Sequence, residues 1–271
     1  MAAYSSGLAL VAIAAHLLLL LLLLTQAPPT SAFSPALVVK QSQTFVTILS
    51  LGPQQLGTFE SLLVDEQQVK LRTVKLHDWS EKEPMSFHKG WNFQKSLLSN
   101  HLNRLQGDEN QFSSFDSVIM LQHTPVYTLG TASDPDFVLT DQAEVVRMDR
   151  GGEVTYHGPG QLVVYPVIDL RGYKQDIHWY MRALEQCILV ALSRAGVSNA
   201  VREDNVTGIW IEGKKVAAIG IKARRWITQH GLAVNIESDS LRNFAGIVPC
   251  GLEGKEVTCV NHHLSEPISV K

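Results

Sequence analysis

After Pro84, apolar side chains recur close to helical spacing at Phe87, Trp91, Phe93, Leu97, Leu98, Leu102 and Leu105, and Gly107 closes the run. That pattern predicts an amphipathic first helix whose aromatic residues belong to the core. A second helix is predicted from Asp176 to Ala195, where Ile177, Tyr180, Met181, Leu184, Ile188, Leu189 and Leu192 share one face and Gly196 supplies the stop. Cys187 falls inside it and reads as packing. Val118-Ile-Met-Leu121 reads as a buried strand, with His123-Thr-Pro125 as the turn leaving it, and Leu162 to Leu170 as another. Three short strands follow the second helix: Val206 to Ile211, Val216 to Arg224 and Leu232 to Ile236. The connections between these late strands are too short for helices, so the pattern argues α+β, with a mixed or antiparallel sheet flanked by helices. No repeat, low-complexity segment or Pro/Gly linker divides residues 71–271, which read as one domain.

The amino terminus breaks this pattern. Leu8 to Leu24 is almost unbroken Leu, Ala, Val and Ile, interrupted by His16. An apolar run of about 20 residues inserts into a bilayer. Thr30-Ser31-Ala32 supplies small residues for cleavage, so residues 1–32 read as a signal peptide, although no Lys or Arg precedes the run. From Phe33 to residue 70 the chain is Ser/Thr/Gln-rich, with Lys40 as an early cation and acidic residues delayed until Glu60, as in a transit peptide. The pair resembles the bipartite plastid presequences of algae whose plastids have extra bounding membranes. The expected address is therefore a plastid, with the mitochondrion as alternative and membrane contact confined to targeting. A net charge of −3 argues against a nucleic-acid binder. The three cysteines, Cys187, Cys250 and Cys259, are an odd number that makes no disulfide framework and fits secretion poorly.

Chemistry concentrates in Arg150-Gly-Gly-Glu-Val-Thr-Tyr-His-Gly-Pro-Gly-Gln161. Glycine lets backbone lie directly against a ligand, and Arg150 and His157 are expected at the rim, offering charge and hydrogen bonds beside an exposed Tyr156-His157 pair. A hairpin turn uses two to five residues, so this longer segment reads as a binding loop feeding the strand that begins at Leu162. Cys250, between Pro249 and Gly251, has one side stiffened and the other open, which suits a nucleophile. A cysteine needs a neighbouring cation or base to become thiolate, and spacing alone assigns it no partner, although His123, His157 and His230 are all near candidate segments. The strand from Val216 alternates, with Val216, Ala218 and Gly220 on one face and Ala217, Ile219 and Ile221 on the other. Lys215, at its head, reads equally as a desolvated base and as a solvated strand end beside Lys214.

The segment Arg150 to Gln161 resembles the hallmark of the octanoyl-carrier-protein:protein octanoyltransferases, also called lipoyl(octanoyl) transferases. Lys215-Val-Ala-Ala-Ile-Gly220, His230-Gly-Leu-Ala-Val-Asn235 and Pro249-Cys250-Gly251 resemble three further segments of that family in the same order, and the likeness runs from about Leu71 to Thr258. It implies the fold of the biotin/lipoate protein ligase catalytic domain, whose members usually continue through a further helical segment, whereas this sequence reaches Lys271 soon after Thr258. It also implies that Cys250 is the nucleophile and Lys215 its acid–base partner. Arg150, Gly151, Gly152, Glu153, Val154, Thr155, Tyr156 and His157 would line the substrate together with Ala218, Ile219, Gly220, Gly231, Leu232 and Ala233. The implied reaction passes octanoyl from octanoyl-acyl carrier protein to a thioester on Cys250. From there it passes to a lysine of a lipoyl domain, on an E2 subunit of a 2-oxoacid dehydrogenase or a glycine cleavage H protein.

Neither a cofactor nor a metal is expected, in keeping with the lack of a Gly-x-x-x-x-Gly-Lys-[Ser/Thr] loop. Backbone N–H groups near Cys250 and Gly251 would receive the oxyanion. Small residues at Ala218-Ile-Gly220 and Gly231-Leu-Ala233 are expected to open an acyl slot between strands. Lys222, Arg224 and Arg225 read equally as a surface for an acidic carrier protein and as a solvated strand face. The competing activity is an ATP-dependent lipoate or biotin ligase of the same fold, which needs no cysteine nucleophile.

Overall fold

The computed structural model describes residues 72–270, except 106–114, 141–142, 205 and 248–255, together with two earlier strands, β1 (Leu37–Gln41) and β2 (Thr44–Thr47). The apolar run Leu8 to Leu24 lies outside them. Among the described residues no helix is long and apolar enough to cross a membrane.

The predicted helices are α1 (Phe87–Arg104) and α2 (Ile177–Arg194). Asp176 caps α2 by accepting a hydrogen bond from the Trp179 N–H at 3.0 Å, and Ala195 and Gly196 end it, as the sequence indicated. Alternating with them are β3 (Arg72–Asp78), β4 (Phe115–Leu121), β8 (Gln161–Val167), β9 (Val201–Glu203), β10 (Val206–Ile211), β11 (Lys214–Arg224) and β12 (Ile227–Asn235). Their order across the large sheet is β2-β1-β3-β4-β8-β12-β11-β10-β9. β1, β3 and β4 run parallel and the remaining pairs antiparallel, so the sheet is mixed. β1 and β2 belong to the stretch read as a targeting extension. They pair beside β3, which would otherwise present an open row of N–H and C=O groups.

A second sheet escapes the hydrophobic pattern. β5 (Val126–Leu129) lies between β6 (Glu144–Arg147) and β7 (Thr155–His157), parallel to the first and antiparallel to the second. β11 and β12 also begin earlier than expected, because their turns are only two residues long: Glu212-Gly213 before β11 and Arg225-Trp226 after it.

Two cores result. α2 lays Leu184, Ile188 and Leu192 on Leu162, Val164, Leu232, Val234, Ile209 and Ile211 on one face of the large sheet. Each fully buried aliphatic side chain contributes about 1.5–3 kcal/mol. On the opposite face α1 packs Phe93 and Leu97 against Ile119, Leu121, Val163 and Tyr165. Val270 packs into the α2 core, and after Thr258 the chain forms a short 3-10 turn, Val260–His263.

Candidate active site

The glycine-rich segment is more buried and more regular than its composition suggests. Residues 155–157 form β7, and Arg150, Tyr156 and His157 are all buried. The Arg150 guanidinium donates to Gly151 O at 2.9 Å, Glu153 O at 3.1 Å, Thr128 O at 3.0 Å and Thr128 Oγ1 at 2.9 Å. Rather than offering charge at a rim, it staples the loop to β5. The Gly151 N–H donates to Ile221 O, bringing the same loop onto β11. Tyr156 is core: its ring packs on Tyr127 and Phe244, its hydroxyl accepts from Asn243, and it does not line the cavity described below.

A cavity of about 540 Å³ opens between this loop and the β11–β12 hairpin, within the size range of ligand sites. Its wall includes Arg150, Gly151, Gly152, Glu153, Val154, Thr155 and His157 from the loop. Ala218, Ile219, Gly220, Gly231, Leu232 and Ala233 come from the hairpin, and Ile177 and Met181 from the start of α2. All the residues expected to line a substrate are therefore brought together except Tyr156. The hairpin register sets Ala218 opposite Ala233 and Gly220 opposite Gly231.

The expected slot is narrower than this pairing implies, because both glycines are already in use. A Cβ on Gly220 would sit 2.9 Å from Arg150 Cδ, and one on Gly231 would sit 2.2 Å from Val164 O. Gly220 is thus the seat of the Arg150 staple, Gly231 the point of close approach to β8, and the two alanines are what leave room.

Lys215 reaches the cavity through a β-bulge. β10 pairs Ile209 with Ala217 but Trp210 with Lys215, leaving Val216 as an extra residue. Ile209, Val216 and Ala217 all enter the α2 core. The bulge reverses the alternation, so Lys215 shares a face with Ala218 and Gly220, and Val216 leaves the face it was assigned. The Lys215 ammonium lies 4.7 Å from the centre of the buried Trp210 ring. Its backbone is clamped on the outer side: Lys215 N–H donates to Glu256 O at 2.9 Å, and Thr258 N–H donates to Lys215 O at 3.0 Å. Lys214 adds an ion pair to Glu256.

A buried polar chain ties this clamp to the loop. Asn235 Nδ2 donates to Thr258 O, and Gln161 Nε2 donates to Asn235 Oδ1 at 2.9 Å and to Tyr156 O. These contacts fix the Gln161 amide so that its Oε1 accepts from His157 Nδ1 at 2.7 Å. The neutral His157 ring therefore carries its lone pair on Nε2. Gln161 and Asn235 close two of the motifs, and the sequence reading assigns them no role. Their signal was present in sequence as amides bounding otherwise apolar strands, where buried polar groups must be paired.

His123 and His230, also buried, are neutral as well. Burial lowers His123 to about 4, outweighing its bond to Met85 O. It lowers His157 to about 3, with His123 adding to the effect, and His230 to about 4. His123 Nδ1 donates to Met85 O, leaving Nε2 to accept from Tyr165, whose hydroxyl burial pushes well above its usual range. His230 Nε2 donates to Asp149 Oδ1 at 3.2 Å, a hydrogen bond to a neutral ring at physiological pH. Asp149 stays below the ordinary carboxylate range despite partial burial, because Lys222 and His230 both bind it.

Pro249, Cys250 and Gly251 lie outside the described residues. Their described flanks are Ile247, bridged to Val138, and Glu256, bound to Lys215. Cys259 is fully buried, and Cys187 packs in the α2 core, in keeping with the packing role expected of it. Among the described residues no group of three or more His, Cys, Asp or Glu side chains is arranged to hold a metal.

Comparison with known proteins places this geometry in context. The lipoyl protein ligase A/B catalytic domain family matches residues 87–271. The chain is 48% identical over 178 residues to the chloroplastic octanoyltransferase LIP2p2 of Arabidopsis thaliana, an alignment covering 64% of this chain and 62% of that protein. It is 49% identical over 164 residues to the octanoyltransferase of Gloeobacter violaceus, covering 60% of this chain and 70% of that one. Among solved structures, a lipoate-protein ligase A bound with ATP superposes with a TM-score of 0.51 at 16% identity, covering 73% of this chain and 79% of that one. A putative lipoate protein ligase from T. acidophilum with bound lipoic acid gives 0.50 at 16% identity, covering 73% and 79%. These two likenesses concern fold alone, and they bear out the α+β architecture read from the sequence.

Proposed function

This chain belongs to the lipoyl protein ligase A/B catalytic domain family, on its octanoyltransferase branch, and on that premise we propose that it moves an octanoyl group from octanoyl-acyl carrier protein to a lysine of an apo-lipoyl domain. The observation that carries the reading is the placement of Lys215. A bulge turns it toward a cavity built from the glycine-rich loop, and its backbone is hydrogen-bonded to the segment that follows Pro249-Cys250-Gly251.

In the proposed reaction the Lys215 amine takes the proton from Cys250 Sγ, and the thiolate attacks the thioester carbonyl. The carrier's thiolate departs and takes that proton from Lys215, leaving octanoyl as a thioester on Cys250. The amine of the lipoyl-domain lysine then attacks this thioester. Cys250 Sγ leaves, and Lys215 carries the released proton from nitrogen to sulfur. The product is an amide, and the carrier thioester supplies the driving force without ATP. Acceptors would be lipoyl domains of E2 subunits or an H protein. The alanine-floored part of the cavity suits an apolar chain, at about 0.8 kcal/mol per buried methylene.

A plastid address is part of the same proposal. It is supported by the composition of residues 1–70 and by the chloroplastic designation of the Arabidopsis relative. The rival reading is an ATP-dependent ligase, and intact-mass measurement separates the two. Protein mixed with octanoyl-acyl carrier protein alone should gain one octanoyl group, and Cys250→Ala should gain none. An apo-lipoyl domain should then discharge the adduct without ATP. An adduct that persists in Cys250→Ala, or an absolute need for ATP, would return the ligase to first place.

A further inference from the structure

β11 is bounded by two tight turns of the same length, both with positive φ at their two central residues. At one end they are Glu212 (φ 52°) and Gly213 (φ 75°), where glycine relaxes the second position. At the other end they are Arg225 (φ 50°) and Trp226 (φ 66°), two bulky side chains where glycine or asparagine would be relaxed. The Arg224–Ile227 pair closes this second turn, and Trp226 O accepts from Leu170 N–H at 2.9 Å. The backbone contacts thus hold the turn in place without requiring those side chains. Strained non-glycine residues persist where surrounding structure enforces them, and they concentrate at functional sites.

The side chains displayed there share a chemistry. Arg224 and Arg225 are exposed, and Lys222 on the same strand pairs with Asp149. Trp226 is 36% exposed and is the sole aromatic among the exposed large hydrophobic residues described. Arginine with tryptophan is the composition of interface anchors. The position matters as much as the composition. β11 runs from this tip directly into the cavity, reaching Ile221 four residues away and Lys215 ten residues away. At a rise of about 3.3 Å per residue, the cavity wall from Ile221 to Lys215 is about 20 Å long. A partner seated on the tip and carrying its acyl group on a long flexible arm would lay that arm along the wall.

We propose that the Arg224-Arg225-Trp226 tip is the docking surface for the donor, an acidic carrier protein that presents its acyl thioester on such an arm. The inference rests on the octanoyl-transfer reading above and adds which surface engages which of the two protein substrates. Its partner must be acidic because the tip presents two guanidinium groups on a chain whose net charge is −3, so the attraction is local.

The test uses full-length protein, the double variant Arg224→Glu/Arg225→Glu, and Trp226→Gly, which relieves the turn and so retains the fold. Binding of fluorescently labelled carrier protein, measured by anisotropy, should weaken by about tenfold or more in either variant, and in wild type it should weaken with added salt. In turnover assays KM for octanoyl-carrier protein should rise by a similar factor at unchanged kcat, while the rate with octanoyl-pantetheine, which has no protein to dock, stays at the wild-type value. Equal losses with both donors, or undiminished carrier binding, would overturn the proposal. So would a defect confined to discharge by the lipoyl domain, or loss of anionic-vesicle binding with carrier affinity intact. Because carrier binding is read directly, a protein that binds the carrier at the tip yet transfers no octanoyl would refute the transfer reading and leave the docking surface standing.

Discussion

On the α2 side of the large sheet, Leu184, Ile188, Leu192 and their strand partners make an aliphatic core governed mainly by size and shape, with Glu185 also buried on α2 and accepting from the Gly208 N–H at 3.1 Å. The opposite side, under α1 and the small sheet, buries His123, His157, His230, Gln161, Asn235 and Arg150, and each of them takes part in hydrogen bonding. At its aliphatic positions the first face tolerates apolar changes that keep volume. On the second, removing one partner leaves another polar group buried and unpaired. The contrast suggests that stability resides mainly in one face and chemistry in the other.

The strongest way to break that division is Lys215→Ala. If the cavity face carries the chemistry, kcat should fall by about 10²–10⁴-fold while thermal unfolding shifts little. Loss of folding, or near wild-type turnover with an unchanged pH profile of Cys250 alkylation, would contradict it.

Acidification should act next, and on the polar face. His77 is lowered to about 4 by burial, as are His123 and His230, and His157 to about 3. Because the unfolded chain binds these protons first, their stability is fully present above about pH 6.5 and is lost as pH falls toward 4. Chemical denaturation from pH 7.5 to 5 should show falling stability with net proton uptake on unfolding. A flat profile would mean that these rings titrate normally.

Leu184→Ala tests the aliphatic face. A cost of about 2–5 kcal/mol is expected from the lost burial and cavity, with specific activity per folded molecule unchanged. Asn235→Ala tests the junction, since it strips a partner from both Gln161 Nε2 and Thr258 O. A smaller loss of about 1–3 kcal/mol should come with reduced turnover, because the Lys215 clamp and the His157 ring lose a common support. Stability loss alone, with kcat intact, would show that the polar chain is scaffolding.

The two faces also differ in how far the sequence discloses them. Helical spacing in α2, its Asp176 cap and its Gly196 stop are local signals, and the apolar runs of β10 and β12 are nearly so. The small sheet escapes such signals because β5, β6 and β7 are three or four residues long and are flanked by glycine and turn-forming residues. Arg150, Tyr156 and His157 looked exposed because glycine-rich composition reports flexibility. It does not report that a neighbouring strand has left room for the loop at Gly220. The grouping of Lys215 with the other cavity residues depends on partners across the sheet, and no local pattern contains that information.

The extra residue at Val216 has an evolutionary consequence. Elsewhere on β11 a single-codon deletion would change which way every earlier position on the strand faces. At the bulge it would not: with Val216 removed in frame, regular alternation would keep Lys215 on the face of Ala218, and the α2 core would lose one valine. The bulge is therefore the place on this strand where a lineage can shed a residue and keep the orientation of the lysine.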